Sequence, residues 1–169
     1  MFKRVNANID LPSVESEISS YWDKINAFET SVENRKNDKT FRFYDGPPFP
    51  TGSPHYGNLL AGVIKDIVPR YWTMRGYYVE RRFGWDVHGL PIEMEVQKKL
   101  NLEDPQQIDE YGIDKFNEAC RSQVQTNTEN WEKITRKIGR WVDFENDYKT
   151  MDIEFMESVW WVFKELWSK

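Results

Sequence analysis

The chain has a single cysteine, Cys120. No disulfide can close within it, and no thiolate zinc cluster can form. Its two histidines, His55 and His88, are too few for a histidine-rich metal site. No apolar run approaches the roughly 20 residues that span a bilayer. The opening stretch MFKRVNANIDLPS lacks the apolar centre of a secretory signal, so the expected location is the cytoplasm. Positive charge is also short. The 23 Lys and Arg against 28 Asp and Glu leave a net charge of −5, which argues against a whole-surface grip on nucleic acid and leaves only a local basic patch. Neither a G-x-S-x-G elbow nor a Cys–His arrangement offers a covalent nucleophile. The Walker and dinucleotide glycine patterns are missing too.

What is present describes a globular protein. The 169 residues are 39% hydrophobic and 30% charged, enough for one domain with a real core. Aromatics reach 15%, with eight Trp, which points to a ligand pocket or to faces meant for protein beyond these residues. The stretch LPSVESEISSYWDKINAF reads as a helix capped by Ser13, with Val14, Ile18, Tyr21, Trp22 and Ile25 at helical spacing. SVENRKNDKT reads as a polar loop, FRFYD as a short strand, and GPPFPTGSP as a loop too rich in Pro and Gly for either element. From Gly57 onward Leu60, Ala61, Ile64, Val68 and Tyr71 mark a helix, with Pro69 restricting it and Gly76 ending it.

YYVERRF follows as a second strand. Residues 41–82 thus predict strand, loop, helix, strand: a parallel, right-handed βαβ unit. GWDVHGLP is a loop, IEMEVQKKL a short helix, and GIDKFNEACRSQVQTNTENWEKITRKIG a long helix with Phe116, Cys120, Val124, Trp131, Ile134 and Ile138 on its apolar stripe. The run KITRKIGR reads as a solvated face. IEFMESVWWVFKELWSK is a helix apolar on most sides, and the expectation is that more protein follows to cover it.

Two loops carry the chemistry, each after the carboxyl end of a predicted strand, where open α/β sheets bind ligands. SPHYGNLL opens a helix whose free N–H groups and dipole can hold an anion. There Gly57 permits close approach, while His55 and Asn58 offer donors to phosphoryl oxygens. The competing reading is a proline-rich turn with Asn58 as helix cap and His55 merely exposed; residue types alone leave the two even. In GWDVHGLP, Asp86 can pair with an ammonium group beside Trp85, whose own role is first of all core packing.

DGPPFPTGSPHYGN resembles the first signature of the class I aminoacyl-tRNA synthetases, an H-x-G-H motif preceded by a G-P-P-[FY]-x-x-G arm. GWDVHGLPIE is similar to the isoleucyl branch, whereas leucyl and valyl relatives usually lack the string after the Asp. YKTMDIEFMESVWWVFKELW is similar to the stretch that precedes that branch's editing insertion. The three motifs stand in the right order and span nearly the whole chain, most loosely before Phe41. The resemblance implies an α/β fold: the N-terminal half of a Rossmann-like nucleotide-binding domain. Residues 1–40 would be a helical extension and linker, and residues 41–169 the first half of the catalytic domain, cut before the editing insertion.

The implied chemistry is attack of the isoleucine carboxylate on the α-phosphate of ATP, supplied with Mg2+, followed by transfer to tRNA(Ile). The enzyme contributes positioning and charge stabilisation. His55 and Asn58 would contact the ATP phosphates and Gly57 would admit the nucleotide. Gly46 and Pro47 would line the amino-acid pocket with Trp85 and His88, and Asp86 would bind the α-ammonium. Asn58 stands where the family usually has His, so phosphate stabilisation there is expected to be weaker or differently tuned. A K-M-S-K-S-like loop, an editing domain, an anticodon-binding region and a zinc module are all absent, so these residues alone are expected to be feeble or inactive. The alternative is a truncated, non-catalytic paralogue that binds adenylate or docks through its final helix. An unrelated nucleotidyltransferase sharing the H-x-G-x loop would have no need of GWDVHGLPIE.

Overall fold

A computed structural model describes residues 8–169; residues 1–7, the start of the expected extension, lie outside them. The chain divides into two compact units. The first contains the residues up to Arg42 together with Arg70–Glu80; the second contains Phe43–Pro69 and Arg81–Lys169.

In the first unit, helix α1 (Leu11–Lys24) begins earlier than a Ser13 cap would allow. Asp10 is the N-cap and Pro12 sits in the first turn, where its fixed φ is already helical and no N–H is missed. Ser13 is therefore inside the helix. A second helix, α2 (Ala27–Glu33), takes the first residues of the expected polar loop. The strand expected over 41–45 reduces to one parallel bridge, Thr40 to Tyr78, supported by the Phe41 N–H on the Tyr78 carbonyl at 2.9 Å. The parallel sense of the βαβ reading holds, but the ladder does not extend. Phe41 stacks on Trp72 at 4.7 Å within the first unit, while Asp45, in the second, meets two cations of its own unit.

Helix α3 (Tyr56–Met74) contributes to both units and runs through Pro69 rather than ending there. Gly76 then stops it with φ +86°, as its position predicts.

The second unit is built on strands β1 (Arg82–Trp85) and β2 (Asp143–Lys149), which pair in parallel with Gly84 opposite Tyr148. A parallel pair needs a long crossover. Here it consists of α4 (Leu90–Leu100), α5 (Pro105–Tyr111) and α6 (Ile113–Lys137). The core gathers Phe83, Trp85, Val87, Ile92, Val124 and Trp131 with Val142 and Phe144 of the second strand region. Phe83 lies 4.5 Å from Trp85 and 4.7 Å from Phe144, ring centre to ring centre. Of the stripe expected on α6, Phe116, Val124 and Trp131 are buried, whereas Ile138, past the helix end, is exposed.

The last helix, α7 (Ile153–Trp167), has no buried residue, and Trp160, Trp161, Phe163, Leu166 and Trp167 all stand exposed. Among the described residues no helix is long and apolar enough to cross a membrane.

Gly84 marks the tightest point of the sheet. A Cβ there would lie 2.2 Å from Cζ of Tyr148, whose ring stacks on Phe155. Burial, and after it the Asp45 charge, push the Tyr148 phenol above its ordinary 10.0, with Arg82 opposing. The fold therefore favours the neutral phenol, and this contribution is lost as pH rises through the raised pKa. Gly84→Ala is expected to displace the ring and cost about 1–3 kcal/mol, the usual range for overpacking. Urea denaturation followed by circular dichroism would read it, and an unchanged midpoint would show that the ring moves freely.

Candidate active site

The helix start at His55 is closed by its own side chains. The His55 imidazole Nδ1 accepts from the backbone N–H of Gly57 at 3.1 Å and of Asn58 at 3.3 Å. In return Asn58 Oδ1 accepts from the His55 N–H at 3.0 Å. This is a reciprocal cap with unusual partners, His at the N-cap and Asn three residues on, in the places where Ser and Glu commonly stand. The sequence leaves open an Asn58 cap with an exposed His55 or an anion site; in the structure Asn58 and the exposed His55 cap each other, on the same N–H groups that could serve an anion. Because Nδ1 accepts, the neutral ring carries its proton on Nε2. Gly57 leaves room for this packing, since a Cβ there would meet His55 Cε1 at 3.0 Å and the ring would have to shift.

The arm before it is pinned by charge. Asp45 is 3% exposed at its side chain and pairs with Arg140, itself 7% exposed, and with Lys65 Nζ at 2.5 Å from Oδ1. Lys65 also donates to the Gly46 carbonyl at 2.9 Å. The sequence placed Arg140 on a solvated basic face. That reading is corrected: α6 ends at Lys137, and Arg140 turns inward with its guanidinium 5.2 Å from the Phe83 ring centre. Lys133, Arg136 and Lys137 do remain exposed. Farther along the arm, the Trp131 indole N–H donates to the Gly52 carbonyl at 2.8 Å. A cavity of about 180 Å³ lies behind the arm, lined by Asn58, Lys65, Trp131, Thr135 and Arg140 among others. Gly46 is exposed and Pro47 half-buried.

The second loop meets the first through the backbone: the Asp86 N–H donates to the Pro48 carbonyl at 2.9 Å. Trp85 lies in the core, 1% exposed, with its indole N–H on Asp147 Oδ2 at 2.6 Å. Its side chain is thus beneath the loop rather than on it. Asp86 is half-buried and has no ion-pair partner among the described residues. His88 is exposed.

Beside them sits Thr150, which sequence reasoning passed over. It is 7% exposed, just after β2; its N–H donates to the Trp85 carbonyl at 3.0 Å, and its Oγ1 accepts from the Val87 N–H at 3.0 Å. A cavity of about 460 Å³ opens past His88 and Thr150 toward Ile92, Val124, Phe155 and Trp160. Cys120 lines it, but burial and then the Glu93 carboxylate push its thiol up, away from the reactive thiolate.

Two parallel strands joined by a crossover of helices make the second unit an α/β fold, with the GWDVHGLP loop leaving the end of β1, and the comparisons with known proteins narrow the class. Residues 17–169 match the family of tRNA synthetases class I (I, L, M and V), and the chain belongs to that family. It is 56% identical over 158 residues to the cytoplasmic isoleucine–tRNA ligase of Arabidopsis thaliana, covering 94% of this chain and 13% of the relative. With the isoleucine–tRNA ligase of Treponema denticola the identity is 52% over all 169 residues, 15% of that enzyme. The Tetrahymena thermophila isoleucine–tRNA ligase is 55% identical over 168 residues, 16% of its length. The chain therefore spans about a seventh of these relatives. In structure it is similar to the LeuRS of the Agrobacterium radiobacter K84 agnB2 LeuRS–tRNA–LeuAMS complex, with TM-score 0.67, 21% identity, and coverage of 95% of this chain and 18% of the other. That likeness supports the α/β fold of a class I synthetase.

Proposed function

We propose that these residues are the N-terminal portion of the catalytic domain of an isoleucine–tRNA ligase, with residues 41–169 forming the first half of its nucleotide-binding fold and residues 1–40 an extension. The observation that supports the reading is the hydrogen bond from the Asp86 N–H to the Pro48 carbonyl, which brings the two motif loops into contact. His55 Nε2–H and the amide of Asn58 reach for the phosphates of ATP, whose Mg2+ is held mainly by the phosphates themselves. Gly57 gives the nucleotide room, Gly46 and Pro47 with His88 frame the amino acid over Trp85, and Asp86 takes the α-ammonium. The isoleucine carboxylate then attacks the α-phosphate and pyrophosphate leaves, giving the acyl-adenylate; the acyl group passes from it to tRNA(Ile) with release of AMP, in the cytoplasm. Matches to ligases over nearly the whole chain favour this over a docking paralogue.

Isoleucine-dependent ATP–pyrophosphate exchange by the full-length ligase tests it. His55→Ala is expected to lower the exchange rate about 100-fold, the usual loss for one donor to developing charge. Undiminished exchange would remove His55 from the phosphate site.

A further inference from the structure

Thr150 Oγ1 touches three groups of the second loop. It accepts from the Val87 N–H at 3.0 Å, lies 2.7 Å from His88 Nδ1, and lies 3.5 Å from Asp86 Oδ1. A threonine hydroxyl has two lone pairs and one proton. Val87 uses one lone pair. If the hydroxyl proton went to His88 Nδ1, the Asp86 carboxylate would face a bare oxygen lone pair. All three contacts become hydrogen bonds in one arrangement: His88 Nδ1–H donates to Oγ1, and the hydroxyl proton points at Asp86 Oδ1. His88 is then the Nδ1–H tautomer, the opposite of His55.

From this geometry we infer that Thr150 is the positioning residue for Asp86 in amino-acid recognition, an inference that rests on the ligase reading above. The hydroxyl donates to the carboxylate that receives the substrate ammonium and holds it in one orientation. The Thr150 N–H on the Trp85 carbonyl fixes the other end of the same turn, so the loop is held from both sides by one residue. Thr150 is 7% exposed and touches substrate nowhere in this scheme; it acts through Asp86. The 3.5 Å separation makes the hydroxyl–carboxylate bond a long one, so its effect is that of a guide more than an anchor.

In the full-length ligase, Thr150→Val keeps the shape and removes the hydroxyl. The expected result is a rise of about tenfold in the isoleucine KM with the ATP KM within about twofold, near the lower end of what a hydrogen bond to a charged group contributes. Thr150→Ser, which keeps the donor, is expected to restore near-normal isoleucine KM. In an Asp86→Asn background the Thr150→Val change should add less than about twofold, because the group it guides is already altered. If Thr150→Val does not fold, Thr150→Cys, with a weak S–H donor, serves in its place and should give the same split. Equal rises in both KM values, or a Ser variant as poor as Val, would overturn the inference and leave Thr150 a structural residue. A wild-type enzyme active in exchange with an unaffected Thr150→Val variant would overturn it alone. A wild-type enzyme with no isoleucine-dependent exchange would overturn the ligase reading, and this inference with it.

Discussion

In the full-length ligase, Asp86→Asn is expected to raise the isoleucine KM about 100-fold while the ATP KM moves less than about threefold. The reason lies in what Asp86 lacks. It is half-buried, its backbone N–H is taken by Pro48, and no cation among the described residues neutralises it. Other charges near the loops are paired: Lys149 with Asp147, and Arg140 and Lys65 with Asp45. A carboxylate left without a cation in the proposed amino-acid site is available to an ammonium group. Hydrogen bonds to charged groups contribute roughly 1.5–3 kcal/mol, and the upper end corresponds to about two decades of affinity. Asparagine keeps the size and one oxygen acceptor but not the charge, so the loss falls on the amino acid. Steady-state exchange kinetics with each substrate varied in turn would measure it. Losses of equal size for isoleucine and ATP would mean that Asp86 shapes the loop and does not hold the ligand.

Arg140→Ala carries the largest expected cost in stability, about 3–5 kcal/mol, the range for breaking a buried ion pair by removing one partner. Against a total stability of about 5–15 kcal/mol for a domain, that is a large share. The removal leaves Asp45, 3% exposed at its side chain, with Lys65 alone, and Lys65 is 32% exposed and already shared with the Gly46 carbonyl. Lys65→Ala should therefore cost less than Arg140→Ala. A double change, Asp45→Asn with Arg140→Met, removes both charges and is expected to be less harmful than the two single costs added together, because neither charge is stranded. Thermal unfolding by circular dichroism of these variants, with Asp45→Asn and Arg140→Met each made alone, gives the values. Simple additivity in the double variant would show that the pair is not coupled. Asp45, which the pair holds, directly precedes Gly46, whose carbonyl accepts from Lys65.

The distribution of what could and could not be read from the sequence follows the range of the interactions. Elements written in local pattern were legible: α3 from its apolar spacing and its Gly76 stop, α6 from its stripe, and α7 from its nearly all-round apolar character. Helix α5 was legible too but was missed, although Asp104, Pro105 and Gln107 spell a capping box, and Asp104 does accept from the Gln106 and Gln107 N–H groups. The strand over 41–45 was overread, since an alternating pattern says nothing of whether a neighbour is there to pair with.

Strand β2 escaped notice because DFENDYK carries five polar residues in seven and owes its place to the parallel partner β1. Of the candidate site, the two loops stood out through their glycines, histidines and prolines. Their supports did not: Arg140 reaches Asp45 across 95 positions and Thr150 reaches Asp86 across 64. Such pairings leave no trace in local spacing. Arg140 was further hidden by its neighbours, Lys133, Arg136 and Lys137, which really are solvated.

The reciprocal cap at the start of α3 turns ligand capture into a contest within the molecule. The Gly57 N–H has an occupant already, the imidazole of His55, tethered two residues away and so present at very high local concentration. An oxyanion held by His55 Nε2–H leaves this cap in place, but one that took the Gly57 N–H itself would first have to evict the ring. A side-chain cap contributes roughly 1 kcal/mol, which corresponds to about a fivefold toll on apparent affinity. In exchange the empty loop is kept folded, and the evicted ring becomes free to follow the anion. On the proposed reading, anion binding here would substitute one acceptor for another, and the helix end would not be left bare.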